Sequence, residues 1–183
     1  VPEADALTWC IGPPLRQSFE VLIGPGGDIE AAVDAYREHY RAGAMFDADL
    51  YDGVGEMLID LRDLASGLYI ATSKTEVDAI KIAEHFDLAP FMDGIFGSEA
   101  DGSRADKAEL LAHALTETRA EAAIMLGDRR YDIEGARLNG LPAIGALWGY
   151  GELDELREVD ADALAAAPEE VADLVVELMG LSE

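Results

Sequence analysis

Asp128 and Asp132 stand four residues apart, just after an apolar run, Ile124–Leu126, that breaks at Gly127. If Asp128 opens a helical turn, both carboxylates share one face, where like charges repel unless a divalent cation such as Mg²⁺ or another partner compensates. Arg129 and Arg130 offer another compensation, so the alternative is an acidic helix start neutralised by its neighbours. Thr72, Ser73 and Lys74 follow a second short apolar run, and Lys107 opens a helix after the loop 101–105. A hydroxyl, an ammonium and metal-binding carboxylates form a phosphate-handling set. Thr72 would donate to a phosphoryl oxygen, Lys107 would neutralise its charge, and Asp128 would hold Mg²⁺ against another oxygen. Backbone N–H groups of Ser73 and Lys74 would add an anion site at the entry to the next helix. Each residue has a plainer reading: Thr72 as a helix cap, and Lys74, Arg104 and Lys107 as solvated surface charges.

The elements around these residues give them a common address. The first fifty residues read as helices joined by loops, with Ile29, Val33, Tyr36 and Tyr40 on one stripe and Asp28 as N-cap. From Tyr51 onward, helices alternate with short apolar runs, the signature of a parallel sheet with crossover helices. A helical stripe over Val54–Ala65 is expected to end at Gly67. Strands are expected over Leu68–Thr72, Gly94–Gly97, Ala122–Leu126 and Pro142–Leu147. Helices are expected around Ala79–Phe86, from Asp106 with its capping box to Glu109, up to Gly140, and from Pro168 to Gly180. In such sheets ligands sit beyond the carboxyl ends of the strands, where Thr72–Lys74 and Asp128–Asp132 fall.

Composition narrows the classes. The chain has 183 residues, half of them apolar, enough for one sizeable domain or a core with an appendage. A formal net charge of −25, from 38 acidic against 13 basic residues, argues against binding to nucleic acid or to anionic membrane surfaces. An acidic surface keeps a protein soluble, as in many ordinary soluble proteins, and a high-salt environment is the less expected alternative. Cys10 is the single cysteine, so no internal disulfide forms, and it reads as a small buried hydrophobe. No apolar run approaches a membrane span and no signal-peptide pattern stands at the N-terminus, so the expected location is cytoplasmic. The chain opens on Val1-Pro2 rather than Met, as a processed or trimmed polypeptide would.

Three stretches in fixed order, ATSK at 71–74, DGSRADKAELL at 101–111 and GDRRYDIEGARLNG at 127–140, resemble the haloacid dehalogenase-like phosphatases, in the phosphoglycolate phosphatase and 5'-nucleotidase-like branch. IGPPL at 11–15 and WGYGELDEL at 148–156 resemble the same branch, so the likeness covers almost the whole chain. The resemblance implies an α/β, Rossmann-like parallel sheet core over residues 51–183 and a partial helical cap over residues 1–50. It implies Thr72 and Lys107 as phosphoryl-binding residues, Asp128 and Asp132 as the acidic pair, with Asp128 the direct Mg²⁺ ligand, and a small phosphorylated metabolite as substrate. Ser73, Lys74, Gly12, Pro13, Pro14 and Arg16 would approach the substrate; a rigid helix-entry turn is the other reading of residues 12–16.

One departure stands out. The family's first motif, DxDGT, supplies the aspartate nucleophile, and no such sequence exists here. Asp47-Ala48-Asp49 lacks the preceding buried strand and the following Gly-Thr, and Asp101-Gly102-Ser103 fails similarly. By family order the motif would lie before Val1, on a strand that occupies the middle of the sheet, whose absence would leave a gap with unpaired backbone groups. Two expectations follow: a Mg²⁺-dependent phosphatase whose nucleophile segment is not in these 183 residues, or a non-catalytic pseudo-phosphatase. The chain alone is expected to be inactive. A phosphomutase would use the same residues, and the sequence leaves the substrate and the oligomeric state open.

Overall fold

The computed structural model of the chain describes residues 3–180; the Val1-Pro2 opening lies outside them. A 3₁₀ segment, Ala4–Cys10, leads into helices α1 (Leu15–Ile23) and α2 (Ile29–Arg41). Helix α2 starts where the spacing predicts: Asp28 Oδ1 accepts from Ala31 N at 3.0 Å, and Val33 is fully buried on its inner face. The aromatic stripe closes on itself, with Tyr36 stacked on Tyr40 and edge-on to Phe19. Cys10 is half-buried rather than enclosed.

Alternation begins with α3 (Val54–Leu64), followed by β1 (Tyr69–Thr75), α4 (Glu76–His85), β2 (Gly94–Ser98) and α5 (Lys107–Thr118). The chain continues through β3 (Met125–Gly127), α6 (Arg130–Leu138), β4 (Ala143–Ala146), α7 (Leu153–Glu158), β5 (Ala163–Ala165) and α8 (Val171–Met179). Every strand pairing is parallel. Helix α3 stops earlier than Gly67 because Ala65 is already extended. Strand β1 runs on to Thr75, and Thr75, not Thr72, is the N-cap of α4. Strand β3 is shorter than the apolar run suggested, and α7 and β5 carry too few residues to show a period.

Among the described residues the strands form two sheets, β1-β2 and β3-β4-β5, not joined to each other by a ladder. Helices α3 and α8 cover one face of the larger sheet, where Met57, Leu58, Leu61, Ile144, Ala165 and Val171 bury together. Helices α5, α6 and α7 cover the other through Leu111, Ile133, Ala136, Ala143 and Leu156.

Arginines tie the N-terminal helices to this body. Arg41 forks onto the buried Asp78 of α4, with Nε and Nη2 each at 2.9 Å, and Arg37 donates to Ala100 O at 2.8 Å. Arg16 makes a two-bonded fork with Glu30, which keeps its own helix pair together beside Gly102.

Candidate functional site

The gap between the two sheets is where the chemistry-bearing residues meet. Lys107, the first residue of α5, sends its ammonium into the gap, donating to Ala71 O of β1 at 2.8 Å and pairing with Asp132 Oδ1 of α6 at 2.8 Å. Both side chains of this pair are about nine-tenths buried. Asp132 turns its other oxygen back to accept from Arg129 N at 3.1 Å, the carboxylate half of an N-terminal cap on α6. The repulsion expected between Asp128 and Asp132 is therefore relieved by Lys107 and a backbone N–H. The Arg129 and Arg130 side chains, offered by the sequence as compensators, go elsewhere: Arg130 pairs with Glu134, and Arg129 with Glu155 at 2.8 Å and the carbonyls of Thr8 and Ile11.

Asp128 is half-buried at the end of β3, and its Oδ2 accepts from Tyr150 N at 2.8 Å. The loop after β4 wraps it so closely that a Cβ on Gly151 would strike the Asp128 carbonyl. Tyr51 stands close by, its hydroxyl pushed up by burial and then by the charges of Tyr150 and Asp128.

At the end of β1 the ladder slips. Thr72 pairs with Gly97, but the next pair is Thr75 with Ser98, so Ser73 and Lys74 bulge out of register. Bulges of this kind re-aim side chains beside functional sites. Here Thr72 Oγ1 accepts from Lys74 N at 3.2 Å, and Ser98 Oγ holds Ser73 O at 3.0 Å. Lys74 keeps open surface to water while the walls around it desolvate its amine. That desolvation, with the charge of Lys107 next, lowers its pKa, and Asp128 opposes the shift. Lys74 thus feels the fields of both Lys107 and Asp128.

Lys107 and Asp132 meet directly across the gap, Lys74 feels the charges of Lys107 and Asp128, and Thr72 and Ser73 lie in the adjoining bulge of β1. On the N-terminal side Pro13 is buried and Gly12 packs on Arg129 and Tyr131, which flank Asp128 and Asp132 in the chain. Arg16 turns its guanidinium to Glu30 rather than to this group. The bulge geometry, the Tyr150 N–H, the close approach of Gly151 and the Ala71 carbonyl are features that the sequence did not mark, although ATSK and WGYG contain these residues.

The donor set suits a cation held lightly. No three His, Cys, Asp or Glu side chains cluster among the described residues, so no protein cage exists there. Mg²⁺ needs none, because one or two carboxylates with waters and phosphate oxygens suffice. Lys74 and Lys107 against Asp128 and Asp132 sum to zero formal charge, so an arriving phosphate dianion has no surplus cation to meet. A divalent ion at Asp128 would supply it.

The model of one family, described as haloacid dehalogenase-like hydrolase, matches residues 1–146. The chain is 40% identical over 156 residues to the tyrosine-protein kinase PtkA of Mycobacterium tuberculosis, covering 84% of this chain but only 53% of that relative, about half its length. It is 40% identical over 159 residues to a 5'-nucleotidase of Pseudomonas aeruginosa, covering 85% of this chain and 72% of the relative. A solved structure of a predicted phosphatase from Clostridium acetobutylicum superposes with a TM-score of 0.90 at 36% identity, covering 97% of this chain and 83% of the other.

Proposed function

Since the chain belongs to the haloacid dehalogenase-like hydrolases, we propose that it is the phosphoryl-binding body of a phosphatase that cleaves a small phosphate monoester. The observation that carries the reading is the convergence of Lys107, Lys74, Asp128 and the Thr72 turn on one gap at the carboxyl ends of β1 and β3. In the reaction, a carboxylate oxygen forms a bond to phosphorus as the ester oxygen departs and takes a proton. Water then attacks the same phosphorus, frees inorganic phosphate and restores the carboxylate. The reading requires that attacking aspartate to be brought between β1 and β3 by a segment outside residues 1–183, because no DxDGT sequence occurs within them.

The residues present hold the phosphoryl group. Of the three N–H donors of Lys107, two are spent on Ala71 O and Asp132, which leaves one for a phosphoryl oxygen. Thr72 Oγ1 donates to a second oxygen while still accepting from Lys74 N, and the Lys74 ammonium adds charge over the opening. Asp132 orients Lys107, and Asp128, fixed by Tyr150 N, would hold Mg²⁺. When bound, Mg²⁺ supplies Lewis-acid polarisation of the phosphoryl oxygens.

Residues 1–50, with the helices α1 and α2, act in this reading as a cap, with Gly12 and Pro13 at its seam. A cytoplasmic location belongs to the same proposal; no helix among the described residues is long and apolar enough to cross a membrane. The test is phosphate release from an aryl phosphate by the full-length protein: Mg²⁺ should be required and Asp128→Ala should abolish turnover, whereas metal-independent turnover rejects the reading. The absence of DxDGT favours a second reading, a binding protein that keeps the fold without the chemistry; a full-length protein lacking that motif and all turnover would establish it.

A further inference from the structure

We propose that Ser98 of β2 is a positioning residue for the phosphoryl group: through the peptide unit that joins Ser73 to Lys74, it sets the direction in which the Thr72 hydroxyl donates. The inference rests on the phosphomonoester reading and adds a residue that acts on the substrate only through another. The bonds stand in series. The Ser98 hydroxyl donates to Ser73 O at 3.0 Å, and the N–H at the other end of that same peptide unit, Lys74 N, donates to Thr72 Oγ1 at 3.2 Å. A trans peptide is planar, with its C=O and N–H pointing opposite ways, so holding the oxygen aims the hydrogen. A threonine hydroxyl has two lone pairs and one proton; with a lone pair taken by the Lys74 N–H, the proton is turned away from that amide and left to donate.

The surroundings explain why one hydroxyl matters here. Strand β1 advances from Thr72 to Thr75 while β2 advances only from Gly97 to Ser98, so Ser73 and Lys74 have no place in the ladder to fix their peptide planes. A peptide unit outside a ladder turns about the single bonds on either side of it, and Ser98 is what stops this one. Ser98 is itself 4% exposed, so its hydroxyl has little water to exchange for the Ser73 carbonyl. The following unit is held by close packing instead. A Cβ on Gly97 would lie 2.9 Å from Lys74 O and 2.4 Å from Glu76 N, so β2 closes against the bulge with no side chain between. Neither bond of the series passes through Lys107 or Asp128, so the effect of Ser98 runs through the Thr72 hydroxyl.

A double-mutant cycle on the full-length protein tests this. Ser98→Ala should lower kcat/KM for an aryl phosphate about fivefold, the worth of one hydrogen bond, and by less than about twofold in a Thr72→Val background, where the hydroxyl it positions is gone. A purely structural loss would be the same in both backgrounds. Ser98→Thr, which keeps the donor, should retain turnover. Solvent exchange of the Lys74 amide in ¹⁵N-labelled full-length protein reads the same series without any reaction. Ser98→Ala and Thr72→Val should each speed that exchange about fivefold, and the double variant should exchange no faster than Thr72→Val alone. Equal losses of kcat/KM in both backgrounds, equal losses in Ser98→Ala and Ser98→Thr, or a Lys74 amide indifferent to Ser98→Ala would each overturn the proposal. The two readings fail separately. Turnover with an indifferent Lys74 amide rejects the positioning role alone; an amide that responds in a full-length protein without turnover rejects the phosphatase alone.

Discussion

Lys107 Nζ and Asp132 Oδ1 lie 2.8 Å apart in the gap between the two sheets, and the same ammonium reaches Ala71 O on the opposite side. One side chain therefore joins β1 to α6 across the gap. Removing it strands a buried carboxylate. Lys107→Met should destabilise the chain by about 3 kcal/mol, the usual cost of breaking a buried pair from one side. Urea unfolding measures this, and loss of phosphate binding should accompany it; a cost under about 0.5 kcal/mol would mean that Asp132 is solvated in solution.

The bridge depends on a glycine one helix away. A Cβ on Gly135 of α6 would lie 2.7 Å from Lys107 Cγ and 3.0 Å from its Cβ. Alanine normally gains about 1 kcal/mol over glycine inside a helix, yet overpacking costs about 1–3 kcal/mol. Gly135→Ala is thus expected to lower the melting temperature and to reduce kcat rather than to stabilise.

Asp128 should prove sensitive to backbone rather than to the ring beside it. Gly151→Ala drives a methyl into the Asp128 carbonyl and should cost about 2 kcal/mol with a large loss of turnover. Tyr150→Ala leaves the N–H to Asp128 intact and should change stability by no more than about 0.5 kcal/mol. Chemical denaturation of both variants gives the comparison; equal costs would contradict it.

The seam between α2 and α4 should weaken at both ends of the pH scale. Burial pushes the Asp78 carboxyl up, but its bonds to Arg41 and Thr75, with the charges of Arg41 and Lys81, outweigh that and hold it below the usual value. A depressed carboxylate contributes stability above its unfolded pKa, about 3.9, and loses it as pH falls through the folded value. Burial, then Tyr36 and Asp78, push Tyr40 up to about 12, so its contribution is complete below pH about 10 and fades as pH rises toward 12. Denaturant midpoints across pH should show both limbs, and Asp78→Asn should flatten the acid one.

Arg129 should resist conservative replacement. Its guanidinium bonds Glu155 and the carbonyls of Thr8 and Ile11 at once, a fork that a lysine amine cannot reproduce. Arg129→Lys is expected to leave the core folded and to speed proteolysis within residues 4–12; unchanged cleavage would show that the contact holds nothing in place.

The periodicity of residues 29–40 and 54–65, the alternation after Tyr51 and the caps at Asp28 and Asp106 made the helices and the parallel class legible. These are local signals, readable because helix spacing and capping involve neighbours within four residues. Strands β3 and β5, of three residues each, leave no period to read, and the β1 bulge depends on its partner Ser98. Lys107, Asp128 and Asp132 could be picked out as candidates through their types and order, and two of them, Lys107 and Asp132, do pair. What neutralises Asp132 was not legible, because Lys107 precedes it by 25 positions and Arg129 and Arg130 stand nearer in the chain.

Residue types, order and spacing by themselves determined a parallel α/β chain and put Lys107, Asp128 and Asp132 forward as candidates at its strand ends. Only the tertiary structure decided that Arg129 would brace the N-terminal turn while Lys107 took the acidic residue, and that a loop glycine would press on Asp128. The reason is that charge pairing and burial depend on distance in space. The 2.8 Å contacts at this site join residues 22 to 36 positions apart, whose closeness is set by how the helices pack on the sheets.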